Sequence, residues 1–471
     1  MTHPPNVRTA PEPAPELARE RLSAPEPARA LAPRGGAWSG PAERLRTAAT
    51  TEPGRLRIIG AVLALLVVAF GAVTAFEVHD RAAAADDVVR HSRPESADAA
   101  AAAVYRSLAD ADAAAASGFL AGAQEPREVH ERYEKDIKEA SRLLVKAAAA
   151  DSDVSTASGR EITTLNEKLP EYTGLIERAR AHNRQGLPLG GAYLRYANQT
   201  MATELLPAAE RLYAAETVRL DQDYSDARAW PYVSLVLGVV VLGALCWAQR
   251  RTYLRTNRVF NHGLLAATAA TTVVLLWLAV GHTVSRSDLL DARVHGQQSV
   301  DVLNRARISS LKARADETLT VVARGAVLTP DGKKDKYEND YTTGMKGLGE
   351  QLSEAGKLAD DSQGKEPVAK AVTGVSEWRE RHRAARLTDE NGDYDRALKQ
   401  VIGPRGSTGE SFDRVDAELE KALAHERAEF TRFAEGGHGA LGGLPVGAAV
   451  LAVLGAAGAV VGVNRRLSEY R

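Results

Sequence analysis

The chain is poor in cysteine and in aromatic residues, and both shortages restrict its fold. Cys246 is the single cysteine among 471 residues, so neither an intrachain disulfide nor a cysteine-based metal site of the usual spacing can form. Aromatic residues make up 5% of the sequence while alanine is abundant, which favours helices because alanine loses no side-chain entropy in them. Long stretches also lack the period-two alternation typical of strands. We therefore expect an all-α fold.

Sequence signatures of catalysis are missing as well. There is no glycine-rich phosphate loop, no nucleophile elbow and no histidine pair with an acidic residue at helical zinc-binding spacing. The eleven histidines are scattered, and we interpret His79, His91 and His130 as solvated rather than metal-binding. The 60 Lys and Arg residues nearly balance 61 Asp and Glu residues, which gives no global argument for nucleic-acid binding. We expect no enzyme, and therefore no catalytic residue, cofactor or metal.

Four apolar runs are long enough to cross a hydrocarbon core of about 30 Å as helices. The predicted transmembrane helices occupy residues 57–77, 231–248, 264–281 and 444–463. The apolar runs themselves contain no Asp, Glu, Lys or Arg, whereas ion and proton pathways usually need such groups. We therefore interpret the spans as anchors and signal conduits. Gly458 and Gly462 form a GxxxG step that either serves close helix contact or arises by chance in a glycine-rich and alanine-rich helix.

The second and third spans are joined by a basic turn, residues 249–263, that has no acidic residue. Its arginines are Arg250, Arg251, Arg255 and Arg258. The positive-inside rule places such a turn in the cytoplasm. Arginines also precede the first span and follow the last, so we expect a multi-pass protein of the cell membrane with cytoplasmic N- and C-termini and two extracytoplasmic loops. The turn arginines serve either orientation alone or contact with a cytoplasmic partner.

The predicted cytoplasmic segments are too small to hold an output domain. Residues 1–56 contain 10 of the 20 prolines and few large apolar residues, which predicts a disordered tail that is either solvated or docks a partner. The end of the chain, residues 464–471, is shorter still. No kinase, cyclase or DNA-binding fold fits into these segments. If the protein signals, we expect its output to be another protein.

The two outer loops, residues 78–230 and 282–443, show helical periodicity interrupted by glycine and proline. The first and last helices of a loop are tied to the membrane, so the breakers at 122–126 and 186–191 should meet at the distal tip. An offset of 204 superposes Asp112 on Asp316 and Tyr133 on Tyr337, along with Glu134 on Glu338 and Asp136 on Asp340. This predicts two extracytoplasmic antiparallel four-helix bundles in a tandem duplication, unless similar heptad patterns in unrelated helices produce the matches.

These features together resemble known sensory proteins. Paired spans around a helical bundle are similar to the sensory halves of chemoreceptors and sensor kinases, in which ligand contact shifts a helix continuous with the span. The four spans, the proline-rich tail and the stretch Ala181–Arg195 (AHNRQGLPLGGAYLR) resemble actinobacterial membrane proteins that link an extracytoplasmic glutamate- or aspartate-binding lipoprotein to protein kinase G. This resemblance implies an extracytoplasmic solute-binding protein and a cytoplasmic protein kinase as partners. It assigns no ligand residues, and the chain departs from receptors and sensor kinases in lacking an output domain.

Position at the distal tip suggests candidate contact residues. His182, Asn183, Arg184 and Gln185 close the third predicted helix, and Arg184 has the charge to pair with a carboxylate of a ligand or partner. The alternative is that these residues only cap a helix and lie in a solvated turn. We expect a non-enzymatic sensor or signal-relay protein surrounded by membrane lipid, with no nucleic-acid partner and with homodimerisation left open. The competing class is an envelope scaffold that does not switch.

Overall fold

A computed structural model describes residues 52–93, 96–150, 153, 155–256 and 261–468. Within these ranges the secondary structure is helical, apart from an isolated antiparallel bridge between Leu328 and Asp335. The prediction of an all-α fold is thereby confirmed. The predicted disordered tail falls mainly on residues 1–51, which lie outside the described residues.

The helices are labelled here in chain order. The first half contains α1 Glu52–Ser92, α2 Ala97–Leu120, α3 Arg127–Ala150, α4 Ala157–Arg184, α5 Leu189–Thr200, α6 Leu206–Ala227 and α7 Tyr232–Thr256. The second half contains α8 His262–Asp291, α9 Gln298–Ala323, α10 Lys336–Leu358, α11 Ser362–Glu390, α12 Tyr394–Ile402, α13 Thr408–Leu441 and α14 Leu444–Ser468. Two π-helical segments, Met201–Leu205 and Ala292–Gln297, join α5 to α6 and α8 to α9.

Proline and glycine explain several interruptions of the long helices. Pro207 lacks a backbone N–H and its ring crowds the carbonyl four residues earlier, so a π-helical segment precedes it and separates α5 from α6. Pro231 separates α6 from α7. Gly443, whose φ of 75° favours glycine, separates α13 from α14. By contrast, α1 runs unbroken for 41 residues, through the first predicted span and beyond it.

Four helical stretches in the described part of the chain are long and apolar enough to cross a membrane. They are Gly54–Leu120, Leu189–Leu254, His262–Ala323 and Thr408–Arg465. Each contains one of the predicted spans, carried by α1, α7, α8 or α14. The length and composition of these helices indicate a multi-pass membrane protein. Its orientation stays a prediction.

The span helices pack through small residues. At Gly263 of α8, an added Cβ would lie 2.1 Å from the carbonyl oxygen of Gly458 and 2.6 Å from Cα of Gly462, both on α14. Asn261 Nδ2 also donates a hydrogen bond of 3.1 Å to the carbonyl oxygen of Gly462. The GxxxG step of the sequence therefore faces a neighbouring helix, whose backbone approaches closely because no side chain intervenes.

The helices that lie outside the predicted spans form two groups around a shared core. In the first group α2 packs on α3 and α6, and α4 packs on α5 and α6. In the second group α9 packs on α10 and α13, and α11 packs on α13. The groups meet where α2 lies along α9, and one cluster of buried side chains runs through both. The predicted tandem duplication remains an inference from the sequence register.

The C-terminal ends of α2 and α4 lie against each other. Asn183 Nδ2 donates a hydrogen bond of 2.8 Å to the carbonyl oxygen of Phe119, and Gly190 packs so closely that an added Cβ would lie 3.2 Å from the Phe119 ring. The short helix α12 brings the second group to this region, where Val401 belongs to the same buried cluster as Leu120. The ends of both groups are thus joined near the turn after α2.

Candidate functional site

A cavity of about 360 Å³ lies between the two helical groups, and we call it the interface pocket. On its α2 wall the small side chains of Ala113, Ala114 and Ser117 leave space that larger residues would fill. The charged residues around it come from four helices: Asp110, Glu128, Arg132, Arg314, Glu410 and Asp413. Its volume falls within the range of small-molecule sites, which makes it a candidate ligand site.

Two arginines, one from each helical group, flank Phe412 in this pocket. The Cζ atom of Arg132 lies 5.6 Å from the ring centroid and that of Arg314 lies 6.0 Å from it. Arg132 Nε donates a hydrogen bond of 2.8 Å to Asp110 on α2, and its Nη1 lies 3.6 Å from Asp413 on α13. Arg132 therefore links both groups by charge, so a ligand that competes for it would act on their contact.

Arg314 leads from the pocket into a buried chain of ion pairs. Its Nη1 donates a hydrogen bond of 2.6 Å to Oε2 of Glu317. The other oxygen of Glu317 accepts from Trp378 Nε1 at 3.1 Å and pairs with His382 Nδ1 at 2.9 Å. His382 Nε2 lies 3.2 Å from both carboxylate oxygens of Glu338. The interface pocket is thus connected to α9, α10 and α11 by one charged network.

The environment of this network fixes its protonation. Burial alone would lower the pKa of His382, but hydrogen bonds to Glu317 and Glu338 outweigh it and raise that pKa to about 9. Burial would likewise raise the pKa of Glu317, but the hydrogen bond from His382 and the charge of Arg314 hold it below its usual value. At neutral pH His382 is an imidazolium that donates from both ring nitrogens. Since burying such charges costs desolvation, the network is a candidate for function as well as structure.

Carboxylates also lie at the contact of α2 with α9. Asp112 accepts hydrogen bonds from Tyr172 Oη at 3.1 Å and Asn198 Nδ2 at 2.8 Å, yet burial outweighs them and raises its pKa to about 6. Burial and the nearby charges of Asp340 and Asp112 raise the pKa of Asp316 to about 8. Asp112 and Asp316, which the offset of 204 superposes, therefore both have a carboxyl pKa above the usual value.

The four distal residues predicted from the sequence have different surroundings. His182 is partly buried and stacks on Tyr193 with ring centroids 5.4 Å apart. Asn183 donates to the backbone of the neighbouring turn, and Gln185 is the C-terminal cap of α4. Arg184 is exposed and lines a cavity of about 280 Å³ at the tip. Of the four, Arg184 has the surroundings that best suit contact with another molecule.

The arginines of the basic turn are described only in part. Arg250 is exposed, and Cζ of Arg251 lies 5.1 Å from the ring centroid of Trp247. Arg258 and the side chain of Arg255 lie outside the described residues. Contact of this turn with a cytoplasmic partner stays a prediction.

The sequence did not indicate that these residues form a buried network. Arg314 and Glu317 are on α9 whereas His382 is on α11, and only the fold brings them together. One usable signal was local: Trp378 and His382 are four residues apart, which puts both on one face of a helix. That spacing alone does not distinguish a buried network from a solvated face.

Comparison with known proteins finds one family model that is similar to part of the chain. Residues 84–225 match the family of actinobacterial sensor domains. The match runs from the part of α1 that follows the first predicted span almost to the end of α6, so it covers the first helical group and under a third of the chain. No curated protein and no solved structure matches the chain. The chain therefore contains a region similar to actinobacterial sensor domains within a helical membrane protein.

Proposed function

We propose that the protein is a non-enzymatic membrane sensor that passes the state of its outer helices to a separate cytoplasmic effector such as a kinase. The family match of residues 84–225 supports sensing, and the four apolar helices support a location in the membrane. In this proposal the two helical groups are extracytoplasmic four-helix bundles related by duplication, and both termini are cytoplasmic. Tyr133 and Tyr337, matched by the offset of 204 and both buried, support the duplication.

The position of the interface pocket is the observation that carries the sensing function. Its walls come from both helical groups, and arginines from opposite groups approach the ring of Phe412. Carboxylates such as Asp110 and Asp413 lie beside those arginines. Groups of both signs suit the ammonium and carboxylate of a zwitterionic amino acid. A ligand that binds one arrangement of α2 on α9 more tightly would increase the population of that arrangement.

A path from the pocket to the membrane follows the second helical group. Phe412 lies near the start of α13, and α13 ends at Leu441, close to the start of α14. Helix α8 packs along both α13 and α14. In the proposed mechanism a change of α13 packing at the pocket alters the contact of α8 with α14, and the basic turn 249–263 presents that change to the effector.

A partner contact is proposed for the distal tip. Its cavity is lined by Arg127, Arg180 and Arg184, and Glu125 pairs with Arg180 at 3.1 Å. Arg127 pairs with Glu131 at 2.6 Å, whereas Arg184 forms no ion pair among the described residues. The positive charge of Arg184 therefore suits an acidic surface, such as that of a soluble solute-binding protein. Substituting Arg127→Glu and Arg184→Glu together should abolish co-purification of that partner. The exposed control Arg142→Glu, on the same helix as Arg127, should leave co-purification unchanged.

The alternative function is an envelope scaffold that does not switch. The close glycine contacts between α8 and α14 favour it, because tightly packed spans are suited to a fixed arrangement. Disulfide cross-linking in native membranes separates the two functions. Ala266→Cys and Gly458→Cys form a suitable α8–α14 pair in a Cys246→Ser background, since an added Cβ at Gly458 would lie 3.6 Å from Cβ of Ala266, within the range of a disulfide. A sensor should show a cross-linking rate that changes with one or more amino acids, and Arg132→Gln should abolish the change. A rate that no amino acid alters would support the scaffold.

A further inference from the structure

A group of possible metal-binding side chains lies away from the interface pocket, between the start of α11 and the middle of α13. His425 Nε2 lies 3.1 Å from Oδ1 of Asp361 and 3.8 Å from Oε2 of Glu429. Donor atoms of the three residues all lie within 4.8 Å of one another. One imidazole nitrogen and two carboxylates are thus close enough to bind a single ion.

Glu429 gives independent evidence that this group lacks a hydrogen-bond donor or a cation. The residue is 5% exposed, and its Oε2 has no hydrogen-bond partner among the described residues. Arg432 pairs with the other oxygen, Oε1. A buried carboxylate oxygen is normally satisfied by a donor or a cation. Since Oε2 is the oxygen nearer to His425, the missing partner belongs between these two side chains.

Two backbone features lie close to this group. At Gly364, in the first turn of α11, an added Cβ would lie 2.5 Å from Oε1 of Glu426 and 3.5 Å from the His425 ring. On the other side, Gly296 packs on Phe430, the residue after Glu429, and belongs to the π-helical segment between α8 and α9. Segments of this kind occur frequently at functional sites. A glycine and a π-helical segment therefore border the cluster.

We propose that Asp361, His425 and Glu429 bind a divalent first-row transition-metal ion such as Zn²⁺, with water completing its coordination. Imidazole nitrogen and carboxylate oxygens are ligands that zinc accepts, and three protein ligands leave a position for solvent. The ion would replace the direct contact of His425 with Asp361 and supply the partner that Oε2 of Glu429 lacks. It would also link the start of α11 to α13, the helix that leads to α14. Metal binding does not depend on the proposed sensing function.

The matched control for this site is His130. It lies 3.4 Å from Glu134, with the same four-residue helical spacing as His425 and Glu429. His130 and Glu134 are not part of the metal-competent group found in the described residues, and their pair is more exposed. A nonspecific His–Glu contribution to metal binding should therefore be lost equally in His130→Gln and His425→Gln.

The test is a titration of the chelator-stripped full chain in nanodiscs with Zn²⁺ and, separately, with Co²⁺. We expect one ion per chain by isothermal titration calorimetry, a visible Co²⁺ ligand-field band and a raised Tm with Zn²⁺. His425→Gln and Glu429→Gln should each weaken binding at least tenfold, whereas His130→Gln should bind as the wild type does. Circular dichroism of the metal-free variants checks that they are folded.

A measurement on the wild-type protein tests the metal site without depending on the folding of any variant. Zn²⁺ should protect His425 from diethyl pyrocarbonate, as read by mass spectrometry, while His130 stays reactive. Two results would overturn the metal site: no saturable binding of Zn²⁺ up to 1 mM, or binding without protection of His425. Equal loss of affinity in His130→Gln and His425→Gln would overturn it as well.

Discussion

Nδ1 of His382 lies 2.9 Å from Oε1 of Glu317, and the two side chains form a buried ion pair that joins α11 to α9. Arg314 connects this pair to the interface pocket, and Glu338 extends it to α10. The pocket and three helices of the second group therefore share one charged network. Its protonation state should be visible in the stability of the fold.

Stability of the outer helices should fall as pH rises through about 9. Because the folded-state pKa of His382 is raised to about 9 from an ordinary value of 6.5, its stabilising contribution is complete below 6.5 and is lost as the pH passes 9. His382→Gln should cost about 3 kcal/mol at pH 6.5, since buried carboxylate charge loses a partner, and should flatten the pH dependence above 6.5. Thermal unfolding of the full chain in nanodiscs, followed by circular dichroism, measures both effects.

His79→Gln is the control for this substitution, because His79 is exposed on α1. It should unfold as the wild type does at every pH. If His382→Gln kept the full wild-type decline between pH 6.5 and 9, His382 would not be the group that titrates.

Asp316→Asn should stabilise the protein at pH 8. The folded-state pKa of Asp316 is raised to about 8 from 3.8, so the folded state holds this proton more tightly and stability decreases as pH rises from about 4 to 8. An amide removes the partly buried charge and its repulsion with Asp340 and Asp112. The variant should therefore exceed the wild-type Tm at pH 8 and lose that advantage near pH 4. The exposed control Asp226→Asn should change the free energy of unfolding by less than about 0.5 kcal/mol. If Asp316→Asn had a Tm below that of the wild type at pH 8, the raised pKa of Asp316 would be contradicted.

The general architecture was accessible from the sequence because it depends on local patterns. Apolar runs predicted the four span helices, and the breaker at 122–126 predicted the end of α2 and the start of α3. The packing of α2 along α9 was not accessible, since alanine-rich helix faces are apolar on several sides and give no preferred partner. The interface pocket depends on that packing and was missed with it.

The charged residues illustrate the same limit. Glu317 and Asp316 are adjacent in a helix with many charges, and no local pattern shows that Glu317 is fully buried. His382 likewise lies among four arginines of α11 that indicate a solvated face. Only tertiary contacts determine which of these charged side chains is buried.

Replacing Gly462 with valine should weaken the contact of α8 with α14. An added Cβ at Gly462 would lie 2.4 Å from Oδ1 of Asn261 and 2.9 Å from Cα of Gly263, so the helices must separate. Gly243→Val is the matched control, because Gly243 lies in a span helix with nothing within 4 Å of an added Cβ. Gly462→Val should lower the Tm in detergent and slow α8–α14 disulfide cross-linking, while Gly243→Val should do neither. Equal behaviour of the two variants would rule out the glycine contact as a packing determinant.

Orientation in the membrane should be readable from two exposed positions. In a Cys246→Ser background, Gln124→Cys at the distal tip should react with an impermeant maleimide added to intact cells. Leu254→Cys, which is exposed near the end of α7, should react only after permeabilisation. The opposite pattern would invert the topology inferred from the arginine distribution.

Coupling between the interface pocket and the spans is tested most directly by a distance measurement across the membrane bundle. Nitroxide labels at Leu254 of α7 and Val461 of α14, both exposed, allow pulsed electron paramagnetic resonance of the Cys246→Ser protein in nanodiscs. The set of proteinogenic amino acids is screened first by equilibrium dialysis. At least one amino acid should bind and shift the distance distribution, and Arg132→Gln should abolish both effects. Absence of binding by every amino acid, or binding that leaves the distribution unchanged, would contradict a sensor that signals through its spans.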